Sequence, residues 1–225
     1  MVKTQEEIEN LRRAVEITDD LFLKIKEFTV AGKKEIEVYD YILEIIKESE
    51  ADTFSFEPIV ASGPNGAEPH HKASDYVIQE GELVVVDFGV FYKGMASDMT
   101  RMIAIGEISE EQYEIYEIVR EALETAIKII RGGTKIANVD LMARDTIQWH
   151  GYLEYFIHTT GHGLGKEVHE TPMVFYKTGG RLRAGEVITV EPGIYIPGFM
   201  GVRLEQDVLV KEDGYEVLNK SSLDL

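Results

Sequence analysis

The chain has 225 residues, of which 44% are hydrophobic, so it is long enough to bury the core of one globular domain. It carries 41 acidic and 23 basic side chains, a formal charge of −18, which disfavours nucleic acid or an anionic membrane as a partner because their phosphates would be repelled. The absence of cysteine excludes disulfides and thiolate ligands, and without a signal-like start or an apolar run of ~18 residues the expected location is the cytoplasm.

The first half of the chain is predicted to start with two helices. Apolar residues at helical spacing indicate a helix over residues 4–28, with Thr4 and Glu7 as a capping box. The Gly/Pro/Asn-rich stretch SGPNGAEP indicates a loop after the first strand. The other elements predicted for this half are a helix over 35–49 and strands over 54–61, 82–91 and 95–105.

The same order of elements starts again in the second half. Ser109 and Gln112 are predicted to cap a long helix that ends at about residue 130. A further helix is predicted over residues 136–150, and strands with a hairpin close the chain.

The two halves are also similar in sequence. AGKKEIEVYDYI at residues 31–42 aligns with GGTKIANVDLMA at 132–143. Five of fourteen positions are identical between the hairpins GELVVVDFGVFYKG and GEVITVEPGIYIPG. We infer two related α+β halves, at about 5–106 and 109–215, packed across a pseudo-two-fold axis.

Each hairpin carries acids where a buried strand would be apolar. Asp87 interrupts a run of valines in the first hairpin, and Glu191 holds the same position in the second. A second acid follows on each return strand, Asp98 in the first half and Glu205 in the second. The duplication predicts that the four carboxylates share one purpose.

The position of each turn determines whether the two acids of a hairpin lie opposite each other. Turns near residues 92–94 and 197–199 would place them close to opposite each other, with Cβ atoms ~5 Å apart. Like charges at that distance are destabilising, and buried carboxylates are neutralised most simply by bound cations. Two divalent ions balance four carboxylates, which predicts a dinuclear metal site.

Histidines supply neutral ligands near these acids. Three of the six histidines lie in HTTGHGLGKEVHETP, residues 158–172, and His70 and His71 follow the first strand of the first half. Taken alone, a single aspartate or histidine is usually structural, and GHGLG is also compatible with a turn or a phosphate-binding loop. The duplicated acids together with the clustered histidines favour a metal site.

These motifs resemble the metallopeptidases of the pita-bread fold, in particular the Xaa-Pro branch of prolidase (Xaa-Pro dipeptidase) and aminopeptidase P. The matching stretches are PHHKAS, VVDFG, SDMTR, GHGLGKEVHETP, VEPGIY and GVRLE. The resemblance extends over the chain from about residue 5. It implies one catalytic α+β domain over residues 1–225, with two pseudo-symmetric halves around a curved antiparallel sheet.

The resemblance implies two divalent metal ions and five ligands, which are Asp87, Asp98, His162, Glu191 and Glu205. Asp98 and Glu205 would be the bridging pair. One imidazole among four carboxylates is an oxygen-rich set that suits manganese, cobalt or iron, with zinc as a further option.

Catalytic roles follow from the same resemblance. A water that bridges the two ions would lose a proton near neutral pH and become the nucleophile, with Glu191 as the general base. His70 and His169 would stabilise the tetrahedral intermediate and help to protonate the leaving nitrogen.

Three further residues are predicted to bind substrate. His158 and Tyr195 would lie at the proline subsite, and Arg203 would orient Glu205 or contact the substrate.

The expected substrate is a peptide with proline at its second position, and the expected activity is hydrolysis of Xaa-Pro dipeptides or of N-terminal Xaa-Pro bonds. The alternatives are methionine aminopeptidase-type activity and, in another class, a non-catalytic module that binds peptides or proteins.

The chain departs from the family in two places. Such enzymes usually carry a domain before the catalytic one, whereas here the first catalytic helix begins almost at Met1. We expect a short form or an isolated catalytic domain, with substrate length and homodimer formation left open. Gln206 stands where an acidic residue is more usual.

Overall fold

The helices and strands follow the predicted order in both halves of the chain. The computed structural model describes residues 1–225. Its helices are α1 (Gln5–Phe28), α2 (Glu35–Glu48), α3 (Glu110–Lys128) and α4 (Ile136–Trp149). Its strands are β1 (Thr53–Phe54), β2 (Ile59–Ser62), β3 (Leu83–Phe88), β4 (Val90–Tyr92), β5 (Met95–Ala96), β6 (Met99–Ala104), β7 (Gly161–Gly163), β8 (Glu170–Val174), β9 (Val187–Val190), β10 (Gly193–Ile196), β11 (Met200–Arg203), β12 (Gln206–Lys211) and β13 (Gly214–Val217).

The first helix of each half begins at its predicted capping box. The Thr4 hydroxyl accepts a hydrogen bond from the Glu7 N–H at 3.2 Å, and the Glu7 carboxylate accepts one from the Thr4 N–H at 2.8 Å. Ser109 and Gln112 form the same reciprocal pair at 3.2 and 2.8 Å. Because each box satisfies two otherwise free donors, both helix starts are defined locally by the sequence. None of the four helices has a stretch long and apolar enough to cross a membrane.

The strands pair only in antiparallel fashion, which confirms the predicted antiparallel architecture. The main sheet of the first half has the order β2-β3-β6, and that of the second half has the order β13-β12-β9-β7-β8. Small sheets β1-β4-β5 and β10-β11 extend the two hairpins.

Strand β3 is buried on both faces, which explains its nearly continuous apolar run. Val84 and Val86 pack in the apolar cluster that contains residues of α1 and α2. Leu83 and Val85 pack in the cluster that contains residues of α3 and α4. Since alternate residues of a strand share a face, Asp87 continues the face of Leu83 and Val85, which is turned towards the second half.

Several predicted strands are interrupted. The strand predicted over 54–61 is split into β1 and β2, and the loop after it contains a short 3-10 helix, Gly63–Ala67. The strand predicted over 82–91 breaks at Gly89, where an added Cβ would lie 2.0 Å from the Ser97 carbonyl oxygen. The backbones approach so closely there that only glycine fits.

The two hairpins differ in how they place their acids. The second hairpin pairs Val190 with Gln206 and Gly193 with Arg203, so the intervening register sets Glu191 opposite Glu205, as predicted. The first hairpin turns at Lys93–Gly94, and its register sets Asp87 opposite Thr100. The two acids were predicted to lie close to opposite each other, whereas Asp98 lies two residues along the strand from the position opposite Asp87, as a diagonal neighbour. The turn has two residues, one fewer than predicted, which accounts for one residue of this offset.

Candidate metal centre

A cavity of about 740 Å³ is lined by residues from both halves of the chain. It receives nine of the ten residues predicted for the site, which are His70, Asp87, Asp98, His158, His162, His169, Glu191, Arg203 and Glu205. The tenth, Tyr195, lies behind the wall and contacts two of the lining residues through its hydroxyl group. The fold therefore collects residues that are more than a hundred positions apart in the chain.

Three of the predicted ligands converge within coordination distance of a single ion. Asp98, His162 and Glu205 each offer one ligand atom, and these atoms lie within 4.8 Å of one another. All three residues are buried, with at most 5% of their surface exposed. Two carboxylates and one imidazole that converge in a buried cavity form a suitable site for a divalent cation.

The strand that carries His162 depends on the glycines on either side. A Cβ on Gly161 would lie 2.0 Å from the Thr189 carbonyl oxygen, and one on Gly163 would lie 2.5 Å from the Thr171 carbonyl oxygen. Strand β7 thus fits between its neighbours β9 and β8 only with glycine at both positions. This packing explains the GHG sequence and rules out the interpretation of GHGLG as a simple turn, because residues 161–163 form a paired strand.

Glu191 lies beside this group of three. One of its carboxylate oxygens is 3.2 Å from His162 Nε2 and accepts a hydrogen bond from the Thr189 hydroxyl at 3.0 Å. His162 Nε2 is also 3.6 Å from an oxygen of Asp98. The imidazole of His162 therefore joins Glu191 to Asp98.

Asp87 is held by Arg203 at the edge of the cavity. Arg203 Nη2 donates a hydrogen bond to Asp87 Oδ2 at 2.6 Å. The same guanidinium donates to the Tyr195 hydroxyl at 2.9 Å and to the Pro69 carbonyl oxygen at 3.2 Å. Of the five predicted ligands, Asp98, His162 and Glu205 thus form one group, and Asp87 and Glu191 are each paired with a basic side chain next to it.

Two buried carboxylate oxygens at the site have no hydrogen-bond partner, Asp87 Oδ1 and Glu205 Oε1. A buried polar atom without a partner costs free energy, and an unpaired buried charge costs more. A cation would satisfy both oxygens. The residues present therefore fit a bound metal, and with four carboxylates and one imidazole the donor set is rich in oxygen.

Burial and the mutual repulsion of neighbouring carboxylates raise the pKa values of two acids at the site. Burial raises the pKa of Asp98 well above its usual value, and the negative charges of Glu205, Asp87 and Glu191 raise it further. Burial likewise raises the pKa of Glu205 well above its usual value, with Glu191 and Asp87 adding to the effect. Because a nearby cation favours the ionised form of a carboxyl group, a bound metal would reverse these shifts.

Glu191 and His162 shift in the opposite sense because they form an ion pair. Burial opposes ionisation of Glu191, but the hydrogen bond and charge of His162, with the charges of His158 and Arg203, lower its pKa to about 2. Burial lowers the pKa of His162, but its hydrogen bond to Glu191 and the charge of Glu191 outweigh burial and raise it overall. Each member of the pair thus favours the ionised form of the other.

The three histidines predicted to act on substrate all line the cavity. The ring centroids of His169 and His162 are 4.3 Å apart. Burial lowers the pKa of His169, and the charge of His162 lowers it further. His70 is exposed at the cavity wall, next to Pro69, whose carbonyl oxygen accepts from Arg203. His158 is partly buried and shares a 2.8 Å hydrogen bond with the Tyr195 hydroxyl.

Thr100 is a site residue that the motif analysis missed. It accepts a hydrogen bond from Arg203 Nε at 3.0 Å and donates one to Glu205 Oε2 at 2.9 Å. Arg203 therefore reaches Glu205 through Thr100 and not directly. The signal was present in SDMTR, because Thr100 lies two residues after Asp98 and so shares its strand face.

Most of the chain matches the sequence model of a known protein family. The model of metallopeptidase family M24 matches residues 9–212. The Xaa-Pro dipeptidase of Pyrococcus furiosus is 43% identical over 225 residues, which are 100% of this chain and 65% of the relative.

Two solved structures have nearly the same backbone. The X-Pro aminopeptidase from Thermotoga maritima MSB8 has a TM-score of 0.97 and 41% identity over 100% of this chain and 64% of that chain. The Xaa-Pro dipeptidase from Bacillus anthracis has a TM-score of 0.97 and 45% identity over 100% of this chain and 63% of that chain. The predicted pita-bread fold is confirmed, and the chain spans less than two thirds of the length of these relatives.

Proposed function

The chain belongs to metallopeptidase family M24, and from this premise we propose that it hydrolyses the bond between an N-terminal residue and a following proline. The observation that carries the proposal is the buried group of Asp98, His162 and Glu205 at the wall of a cavity large enough for a short peptide. The relatives named as Xaa-Pro dipeptidase and X-Pro aminopeptidase supply the choice of bond.

We propose that two divalent ions bind at this site. Asp87, Asp98, His162, Glu191 and Glu205 would hold these ions. The proposal is supported by the two unpartnered oxygens and by the charge balance, since four carboxylates match two divalent ions. The oxygen-rich donor set suits manganese, cobalt or iron, and zinc is compatible with it.

When bound, the two ions would polarise the scissile carbonyl group and make a water molecule acidic near neutral pH. Side chains of the site would then accept and donate the protons of the reaction. Glu191, whose pKa of about 2 keeps it ionised, would accept a proton from that water. Its second role as a ligand keeps it at the reaction centre.

His169 and His70 would act on the opposite side of the substrate. The lowered pKa of His169 keeps its imidazole neutral near pH 7, with one N–H available as a donor. A neutral donor in a partly buried cavity can stabilise the oxyanion of a tetrahedral intermediate. His70, which is exposed at the wall, would help to protonate the leaving nitrogen.

His158, Tyr195 and Arg203 would form the subsite for proline. Arg203 Nη1 donates a hydrogen bond to the Tyr195 hydroxyl, which shares a second one with His158 Nε2, and these linked bonds hold the His158 ring at the cavity wall. A proline nitrogen has no N–H, so the usual backbone pairing of peptide to enzyme is lost and ring contacts become more important. The His158 ring, held in this way, is suited to contact a pyrrolidine.

The test is hydrolysis by the purified chain after removal of metal and addition of Mn²⁺ or Co²⁺. Leu-Pro and Leu-Pro-Gly should be cleaved, while Leu-Gly, the matched peptide without proline, should not. The ratio between the first two distinguishes a dipeptidase from an aminopeptidase. Asp98→Ala is the inactive control. No turnover of either proline peptide with any metal would refute the proposal.

Two other outcomes would point to the alternatives. Release of methionine from Met-Ala-Ser, with no cleavage of Leu-Pro, would identify methionine aminopeptidase-type activity. A chain that binds no metal after supplementation would be the non-catalytic module. Homodimer formation and a cytoplasmic location stay predictions.

A further inference from the structure

Helix α2 begins with a carboxylate that is fully buried but lies outside the group of metal-site acids. Glu35 has none of its surface exposed. Unlike the carboxylates at the cavity, it has hydrogen-bond donors for both of its oxygens. Such complete satisfaction is typical of a structural carboxylate and sets Glu35 apart from a metal ligand.

Five donors converge on Glu35, and all come from residues 62–74, which run from the last residue of β2 into the connection to β3. Oε1 accepts from the Ser62 N–H at 2.8 Å and from Asn65 Nδ2 at 3.0 Å. Oε2 lies 2.9 Å from His71 Nε2 and accepts from the Ser74 N–H at 3.1 Å and the Ser74 hydroxyl at 2.6 Å. One carboxylate therefore ties together both ends and the middle of a loop over residues 62–74, which we call the His70 loop.

The His70 loop is also held from the other side. The backbone of Gly66 lies against strand β11 so closely that a Cβ on Gly201 would be 1.8 Å from the Gly66 carbonyl oxygen. The Pro69 carbonyl oxygen accepts from Arg203. Between these contacts and Glu35, His70 faces the cavity while its neighbour His71 is bound to the carboxylate.

We propose that Glu35 is a positioning residue for His70, acting through His71 and the His70 loop. The inference rests on the proposed function, because it assigns His70 to the reaction. Without the Glu35 carboxylate, the five donors of the His70 loop would have no common acceptor. His70 would then lose its fixed position relative to the metal ligands. A displacement of about 1 Å in such a group can cost about a hundredfold in rate.

The second half has a corresponding tether. Asp140 on α4 is fully buried and accepts from the Thr160 N–H and hydroxyl at 3.2 and 2.7 Å, and from the Tyr176 N–H at 3.0 Å. These contacts hold the segment that follows His158. Each half thus uses a buried carboxylate on its second helix to fix a segment that carries a histidine of the cavity.

The experiment compares Glu35→Gln with Glu44→Gln, an exposed residue on the same helix. We expect Glu35→Gln to lower kcat on Leu-Pro by about 10- to 100-fold with little change in KM and in bound metal, because only the transition-state contact of His70 is weakened. Glu44→Gln should match the parent chain. Ser74→Ala, which removes one donor and keeps the carboxylate, provides a milder variant should Glu35→Gln fold poorly, and is expected to cost about three- to tenfold.

A double-mutant cycle with His70→Ala separates positioning from general destabilisation. If Glu35 acts through His70, Glu35→Gln should cost less than about twofold in the His70→Ala background. An undiminished cost in that background, or a loss of metal, would overturn the inference.

Hydrogen exchange provides a readout that needs no activity. Glu35→Gln should speed exchange of amides in the His70 loop and not in residues 156–160, and Asp140→Asn should do the reverse. Unchanged exchange in the His70 loop would refute the tether even if Leu-Pro is hydrolysed. Conversely, a parent chain that fails to hydrolyse Leu-Pro but shows this exchange pattern would refute the proposed function and leave the tether standing.

Discussion

Glu35 and Glu205 are buried to nearly the same extent, with 0% and 1% of their surfaces exposed, but they differ in their partners. Glu35 accepts from five donors, whereas Glu205 accepts from Thr100 alone and has one oxygen without a partner. The comparison teaches that donors, and not burial, distinguish a carboxylate that stabilises a loop from one that requires a cation.

The same distinction separates Asp140 from Asp98 and Glu205 at the cavity. Asp140 is surrounded by N–H and hydroxyl donors and by the guanidinium of Arg144 at 2.7 Å. Asp98 and Glu205 instead have other carboxylates as near neighbours, and those negative charges raise their pKa values. If this difference in surroundings corresponds to a difference in role, substitution of a cavity acid should affect metal binding and substitution of a tether acid should not.

The largest effect is expected from Asp98→Ala. Removal of one of the converging ligands should abolish metal binding and lower turnover of Leu-Pro by at least about a thousandfold, because several kcal/mol of metal-dependent stabilisation would be lost. Metal content by mass spectrometry and initial rates provide the measurement, with the exposed Asp145→Ala as control. Full metal content in Asp98→Ala would show that Asp98 is not a required ligand and that its role is structural, like that of Glu35.

A smaller effect is expected from His169→Ala. His169 lies beside His162 but outside the group of three converging ligands, so the metals should stay bound while kcat falls by about a hundredfold. The same two measurements apply. Loss of metal as complete as in Asp98→Ala would contradict the division between ligands and substrate residues.

The metal-free chain should become less stable as the pH rises above about 5. Asp98 and Glu205 have raised pKa values in the folded chain, so the fold binds protons that the unfolded chain has released, and its stability falls with pH. The raised pKa of His162 acts in the same direction near neutral pH. The lowered pKa of Glu191 adds stability that is already fully present above pH 5.

Thermal unfolding at pH 6 and pH 8, with and without Mn²⁺, measures this effect. We expect a lower Tm at pH 8 than at pH 6 without metal, and a rise of about 5–10 °C when Mn²⁺ is present at a hundred times its Kd. Equal Tm values at both pH values in the metal-free chain would show that these carboxylates are neutralised by other means.

The smallest effect is expected from Tyr195→Phe. The hydroxyl group links His158 to Arg203, but Arg203 keeps its contacts with Asp87, Thr100 and Pro69. We expect KM for Leu-Pro to rise by about three- to tenfold, the value of one hydrogen bond, with unchanged metal content. A loss of metal would mean that the hydroxyl supports Asp87 through Arg203.

The duplicated hairpins illustrate how far the sequence could be followed. The register of the second hairpin was predicted correctly because its turn, between Ile196 and Met200, has the expected length. In the first hairpin the turn is one residue shorter than predicted, and because one residue in a turn shifts every pairing along the strands, Asp87 pairs with Thr100. Propensities at Lys93–Gly94 do not determine the length of a turn closely enough to avoid this error.

The sequence by itself determined the capped helix starts, the two related halves and the residue types at the centre, because these follow from neighbours along the chain and from repeated motifs. Only the tertiary structure decided which buried acids have partners. Asp87 meets Arg203 across 116 positions, and Thr100 meets Glu205 across 105. Glu35 meets Ser74 across 39 positions. Hydrogen bonds of this kind depend on distances of a few ångströms that only the packing of distant segments sets.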